Sequence, residues 1–416
     1  MSELRINRGR STKLGRVEGD LRVGKNGRIE AIDGKCVTVT GSVHFEGAAE
    51  LNCDFECDSL IVGGGGVLKA RGNLIVHKKL DIVHSIEADG FVKAEEIDVG
   101  GKIHAETIEC KSLRSGGVVE VTESLTAESV NVGGKVIAPH NVKITNLDVG
   151  GQVNVGGGSI LGNIRVGGKF ESRSRLEFGD LQVFGHTTFV DSCKGRRIST
   201  FGKVSAAVDL ECDEIDVQGI TEIHGDCIGK RMEVNGKLGV HGTLTALESV
   251  EIYGTAEIQQ GLRSPSLKIG GKFRAARAEV SGEADLAGAV ETSQGLRGNI
   301  VLVRSGSRCN GPIVGNLVEI GKSGLVIANW NKKWAGQIAA IHMIGRMTRV
   351  EDIYGKEVHL GSSSRSGKVY ADVVEVNAGA IADELLYTTE LRGPVEKVYF
   401  QHPPRRVSEL PVPPIG

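Results

Sequence analysis

Aromatic residues are scarce in this chain. Phe, Tyr and Trp make up 4% of its 416 residues, against 59 glycines. That is poor material for one large core built around rings, and the length exceeds an ordinary single-core domain. Yet 40% apolar and 25% charged residues are too balanced for disorder. A folded, elongated repeat architecture is expected. Proline is also rare, with only Pro139, Pro265 and Pro312 before residue 394, as suits a chain whose backbone N–H groups mostly donate to a ladder. No charge sign dominates: 50 Lys and Arg against 52 Asp and Glu give a net charge of −2. This removes any global electrostatic attraction to nucleic acid, and no such partner is expected. There is no run of about 18 uncharged apolar residues, and the opening MSELRINRGRSTKLGR has no apolar segment of the signal-peptide kind. A cytoplasmic protein is expected. The eight cysteines include no CxxC pair, and Cys53 and Cys57 have no second pair or nearby histidine to complete a zinc site. They read as small buried apolar residues.

What the chain has in abundance is one short phrase, apolar-x-apolar followed by glycine, as in EIDVGG, NLDVGG, NIRVGG, RMEVNG and SLKIGG. Marking its second apolar position from Ile82 to Ile320 gives fifteen marks. Twelve of the fourteen steps between them equal the step from Val132 to Val149, one is shorter by a single position and one is longer by a single position. The position two before each mark is apolar in all fifteen, from Leu80 to Val318, and the residue between is polar in fourteen. In-out-in alternation is a strand. A repeat of this length is too short for a helical hairpin or a propeller blade and fits one closed turn of a solenoid. The expected fold is all-β: a single-stranded parallel β-helix with about 17 residues per turn and about 21 turns, whose glycines form corners.

The expected boundaries follow from where the register holds. Residues 1–13 read as a flexible basic tail, 14–321 as the β-helix, 322–345 as an insertion, 346–401 as its continuation, and 402–416 as a proline-rich tail. Upstream, Leu21-Arg22-Val23 and Val37-Thr38-Val39 suggest one further step of the repeat, and Cys36 and Cys53 lie one period apart, which would stack them on adjacent turns. Downstream, the step from Ile320 to Ile344 suggests a short insertion of about half a turn. The segment IADELLYTTELR (381–392) reads either as a last turn or as a capping helix.

No phosphate loop, nucleophile elbow, HExxH or dinucleotide fingerprint is present, so no catalytic residue, cofactor, metal or nucleotide is expected. A carbohydrate-active groove would need convergent carboxylates beside stacking aromatics, and acyltransferase rods keep six-residue units, of which this period is not a multiple. Neighbouring turns instead carry opposite charges at outward positions: Asp98 beside Arg114, Asp148 beside Arg165, Glu251 beside Lys268 beside Asp285. Two sets of candidate contact residues remain. Trp330 and Trp334, with Lys332 and Lys333 between them, suit a partner or lateral contact or a ring tucked onto the β-helix. Arg5, Arg8, Arg10 and Lys13 suit an anionic membrane surface, a protein partner or a solvated tail. His224 and His241, one period apart, should stack on the outer face as a solvated pair.

The phrasing of LGRVEGDLRVGKNGRIEAIDG (14–34) and of the VGG turns resembles the bactofilins, polymer-forming cytoskeletal proteins. That resemblance implies a parallel β-helix with turns of this size and short tails, polymerising end to end without nucleotide. This chain departs from it in length. The expected function is therefore a structural protein whose main partner is itself, with the tails directing it to a membrane or protein. The alternatives are a β-helical binding subunit of a larger complex and, behind it, a carbohydrate-active or acyltransferase enzyme.

Overall fold

The computed structural model describes residues 3–322 and 348–413. They divide into an N-terminal unit ending at Ala207 and a C-terminal unit beginning at Val208. Each unit is a parallel β-solenoid. Together they hold about 22 turns of about 17 residues, with about 73% of the chain in strands. Among the described residues there is no α-helix, only a 3₁₀ turn at Val395–Lys397.

The repeated phrase builds the core. In the N-terminal unit Leu80, Ile97, Leu113, Val130, Leu147, Ile164, Leu181 and Ile198 form one column, each paired in parallel register with the next. In the C-terminal unit Ile215, Met232, Val250, Leu267, Ala284, Val301 and Val318 do the same. None of these residues is more than 3% exposed. Burying a side chain of this size stabilises by about 1.5–3 kcal/mol, so each turn is held chiefly by its own few inward residues and its two neighbours. The marked positions form a second buried column, in which Val149, Val166 and Val183 lie in succession.

The paired glycines are required by close approach at the corners. A Cβ on Gly151 would lie 2.0 Å from the carbonyl oxygen of Gly134, and one on Gly168 would lie 2.2 Å from that of Gly151. Neither glycine has a positive φ. The backbone of each corner packs onto the corner before it, and only glycine leaves room.

Several boundaries differ from those read in the sequence. The solenoid begins at Glu3, not near residue 14. Strand Glu3–Ile6 pairs with Asp20–Val23, and Ser11–Leu14 pairs with Gly27–Ala31. Ile6 and Leu14 turn inward, and the cations expected in a tail occupy outward positions. The next partner of Leu21 is Val43 and not Val37. The extra chain makes a protruding turn at Ile32–Gly34, where Ile32 is 69% exposed and Gly34 has a φ of 72°. Cys36 accordingly faces solvent and aligns with Asp54, while Cys53 is buried, so the two do not stack.

The insertion is also longer than expected. Ile320 pairs with Leu360 and not with Ile344, so this one step of the ladder takes up more than twice its usual length of chain. Residues 381–392 form a strand and not a helix, paired with Ser364–Val376. The chain then adds two short pairings, Ile381 with Tyr399 and Leu386 with Arg405. The solenoid therefore reaches residue 406, inside the segment expected to be a tail.

Candidate functional site

Several outward positions align opposite charges on adjacent turns, although Asp216, Glu233 and Glu251 follow one another in one column. Arg274 lies between Glu257 and Glu291 on adjacent turns and contacts both, at 3.4 and 2.8 Å. The neighbours expected from the sequence are aligned as well: Asp98 with Arg114, Asp148 with Arg165, and Glu251 with Lys268 with Asp285. Their contacts are more varied than simple pairs. The Tyr253 hydroxyl donates to Glu251 at 2.5 Å, and Lys268 Nζ sits 5.5 Å from the centre of the Tyr253 ring. Burial and that carboxylate push the Tyr253 hydroxyl pKa well above the usual tyrosine range. Asp285 forms a bidentate pair with Arg304, both contacts 2.7 Å. Such contacts offset repulsion between stacked charged turns.

His224 and His241 stack as expected, with ring centroids 4.5 Å apart. Among the described residues no group of three or more His, Cys, Asp or Glu is placed to hold a metal ion. Seven of the eight cysteines are buried. Desolvation pushes the thiols of Cys57, Cys110 and Cys309 up to about 12, so at neutral pH they are protonated and behave as apolar residues.

Arg5, Arg8, Arg10 and Lys13 are all exposed on the first turn but are not gathered into one patch. Arg5 stands on the first strand, 2.7 Å from Glu3 and in register with Arg22, whereas Lys13 stands on the second, in register with Glu30. Arg8 and Arg10 lie in the corner between them. Trp330, Lys332, Lys333 and Trp334 lie outside the described residues.

The first and last turns differ in what they offer a partner. In the first turn, strands Glu3–Ile6, Ser11–Leu14 and Arg16–Val17 each pair on one side only among the described residues. Leu4 there is 41% exposed. In the last turn, by contrast, Leu385 is fully buried, and residues 393–413 lie beyond it with Val395, Val398, Phe400 and Val407 half-buried. Two-residue strands and five prolines between 394 and 413 leave few donors on that side.

Each unit carries a groove on its outer surface. One, of about 500 Å³, lies on the N-terminal unit beside Cys110 and Ala127. Two of its three lysines are paired with carboxylates, Lys93 with Glu109 at 2.7 Å and Lys111 with Glu95 at 2.6 Å. The other, of about 710 Å³, lies on the C-terminal unit and is lined by Arg263, Arg277 and Arg297 with a single carboxylate, Glu279. Sequence reasoning missed it, because the three arginines are unequally spaced and fit no common interval. Comparison with family models, with curated proteins and with solved structures finds no match to this chain.

Proposed function

We propose that the protein is a structural β-solenoid that associates with further copies of itself through its first turn, without nucleotide. One observation carries the reading: strands Glu3–Ile6 and Ser11–Leu14 leave a row of backbone groups and the exposed Leu4 side chain on their outer side, while the last turn is blunted by proline-rich chain. Unpaired strand edges are directional sites of association, since each offered N–H and C=O group finds a partner in a second edge. Pairing of two such edges about a two-fold axis is isologous and closes on itself. Longer assemblies then require a second contact elsewhere on the chain.

The resemblance to the bactofilins agrees with a cytoskeletal, self-assembling role. The four exposed cations of the first turn would add a salt-sensitive attraction to an anionic membrane, consistent with a cytoplasmic protein held near one. The test is sedimentation of the purified protein with and without nucleotide, beside Leu4→Lys and Leu161→Lys. Leu161 is also exposed but lies away from the first turn. Leu4→Lys should shift the protein to monomer while Leu161→Lys sediments as the parent does. Dissociation by Leu161→Lys alone, a parent that stays monomeric, or association that needs ATP or GTP would each reject the reading.

A further inference from the structure

We infer that the groove on the C-terminal unit is a binding site for an acidic oligosaccharide, carboxylated along its chain. The first support is charge. Arg263, Arg277 and Arg297 bring three positive charges and Glu279 one negative, a surplus of two inside one concavity. Glu279 is engaged by Arg263 at 3.0 Å and by Arg277 at 3.5 Å. Arg297 stands in register with Glu279 on the next turn but makes no ion pair or side-chain hydrogen bond among the described residues. The groove of the N-terminal unit, lined by three lysines and three glutamates, carries no such surplus. Guanidinium groups hold carboxylates through paired N–H donors, the geometry that makes arginine the preferred partner of planar anions.

The second support is the rest of the lining. Asn316 donates to Asn299 at 2.6 Å, and the remaining amide groups of this exposed pair are free to meet hydroxyls. Gly298 and Gly315, aligned on adjacent turns, also line it. No aromatic residue lines the groove, which removes the stacking platform that single-stranded nucleic acid uses. The strands that form the groove pair on both sides, Lys272–Leu286 between Thr255–Ile269 and Ala289–Arg304, so an acidic peptide has no free edge to extend. The stacking aromatics and paired carboxylates of a groove that cleaves sugars are not required where an acidic sugar chain is only bound, and no free edge is required either. Such a chain is recognised by side-chain donors to its carboxylates and hydroxyls, and an open groove crossing successive turns suits an extended chain.

The test is calorimetric titration of the full-length protein at low ionic strength with a galacturonate tetramer. Its methyl-esterified form, an oligothymidylate and a tetraglutamate peptide are run alongside. The acidic tetramer should bind, with the ester at least tenfold weaker. Arg297→Ala should weaken the acidic tetramer at least tenfold and leave the melting temperature unchanged. Arg274→Ala, which removes a cation outside the groove, should bind as the parent does. Absence of binding, equal affinity for acid and ester, or no effect of Arg297→Ala would overturn the assignment. Equal or tighter binding of the oligothymidylate or the peptide would also overturn it, since charge alone would then account for the affinity.

Discussion

Ile320 and Leu360 are adjacent members of one ladder although more than two turns' worth of chain separates them. On either side of that step the usual spacing holds, with Val303 paired to Ile320 and Leu360 paired to Val376. Register in this fold is set locally. Each turn is positioned by the inward residues of its neighbours, so a long excursion at one corner does not disturb the turns that follow.

Shortening the excursion should therefore be tolerated. Replacing residues 323–347 by a two-residue Gly-Ser linker should leave a single cooperative unfolding transition. It should raise stability by roughly 2 kcal/mol, the loop-closure gain at about 0.6 kcal/mol for each halving of the loop. A loss of cooperative unfolding in the shortened protein would show that the excursion supports the ladder between Ile320 and Leu360.

The inward columns are legible in the sequence because their paired residues recur one period apart with a polar residue between the two in fourteen of fifteen cases, as Asp148 stands between Leu147 and Val149. The first turn is not, because Arg5 separates Leu4 from Ile6 and Lys13 separates Thr12 from Leu14, so a run of cations hides an ordinary strand alternation. Ile32 misleads in the opposite direction. It is apolar and stands near a glycine, yet it projects into solvent on a protruding turn. The arginine groove is hidden for a third reason. Arg263, Glu279 and Arg297 align across turns whose registers shift at local irregularities, so their spacings in the chain depart from the period. Patterns that depend on one turn can be read from sequence, but those that depend on how three turns align need the ladder itself.

Glycine at the corners should be irreplaceable where the turns touch and dispensable elsewhere. Gly151→Ala would set a methyl group 2.0 Å from a backbone carbonyl oxygen, and backbone cannot step aside without breaking the ladder. It should destabilise by more than about 2 kcal/mol, with hydrogen-exchange protection lost first in the turns around Gly134 and Gly151. Gly239, in strand Lys237–Val240, has nothing within 4 Å of its missing Cβ and no positive φ. Gly239→Ala should stabilise by roughly 0.5 kcal/mol by restricting the unfolded chain. Equal effects of the two substitutions in denaturant melts would refute the close-packed corner.

Acid should act on the outward ion pairs, and Glu171, paired along its own stretch of chain, shows the direction. Its carboxylate accepts from Lys169 at 2.7 Å and from Arg173 at 3.1 Å, and its side chain is only 18% exposed. The bond from Lys169, followed by that from Arg173, holds its pKa below the ordinary glutamate range, outweighing the opposing effect of burial. A group whose pKa is lower folded than unfolded binds more protons in the unfolded chain. Its contribution is therefore complete above the unfolded-state glutamate pKa and is lost as the pH falls through the lower folded value. The contribution is small, below about 1 kcal/mol for a pair near the surface. The sharper measurement is the titration of the carboxyl itself. In a glutamate-labelled protein, with Glu171→Gln used to assign the resonance, the midpoint of Glu171 should rise toward the ordinary range when Lys169→Met and Arg173→Met are combined. The same double substitution should make stability less dependent on pH across the acid range. An unchanged midpoint would mean that the two cations do not set the charge state of Glu171, and these contacts along the chain would then be neighbours without electrostatic consequence.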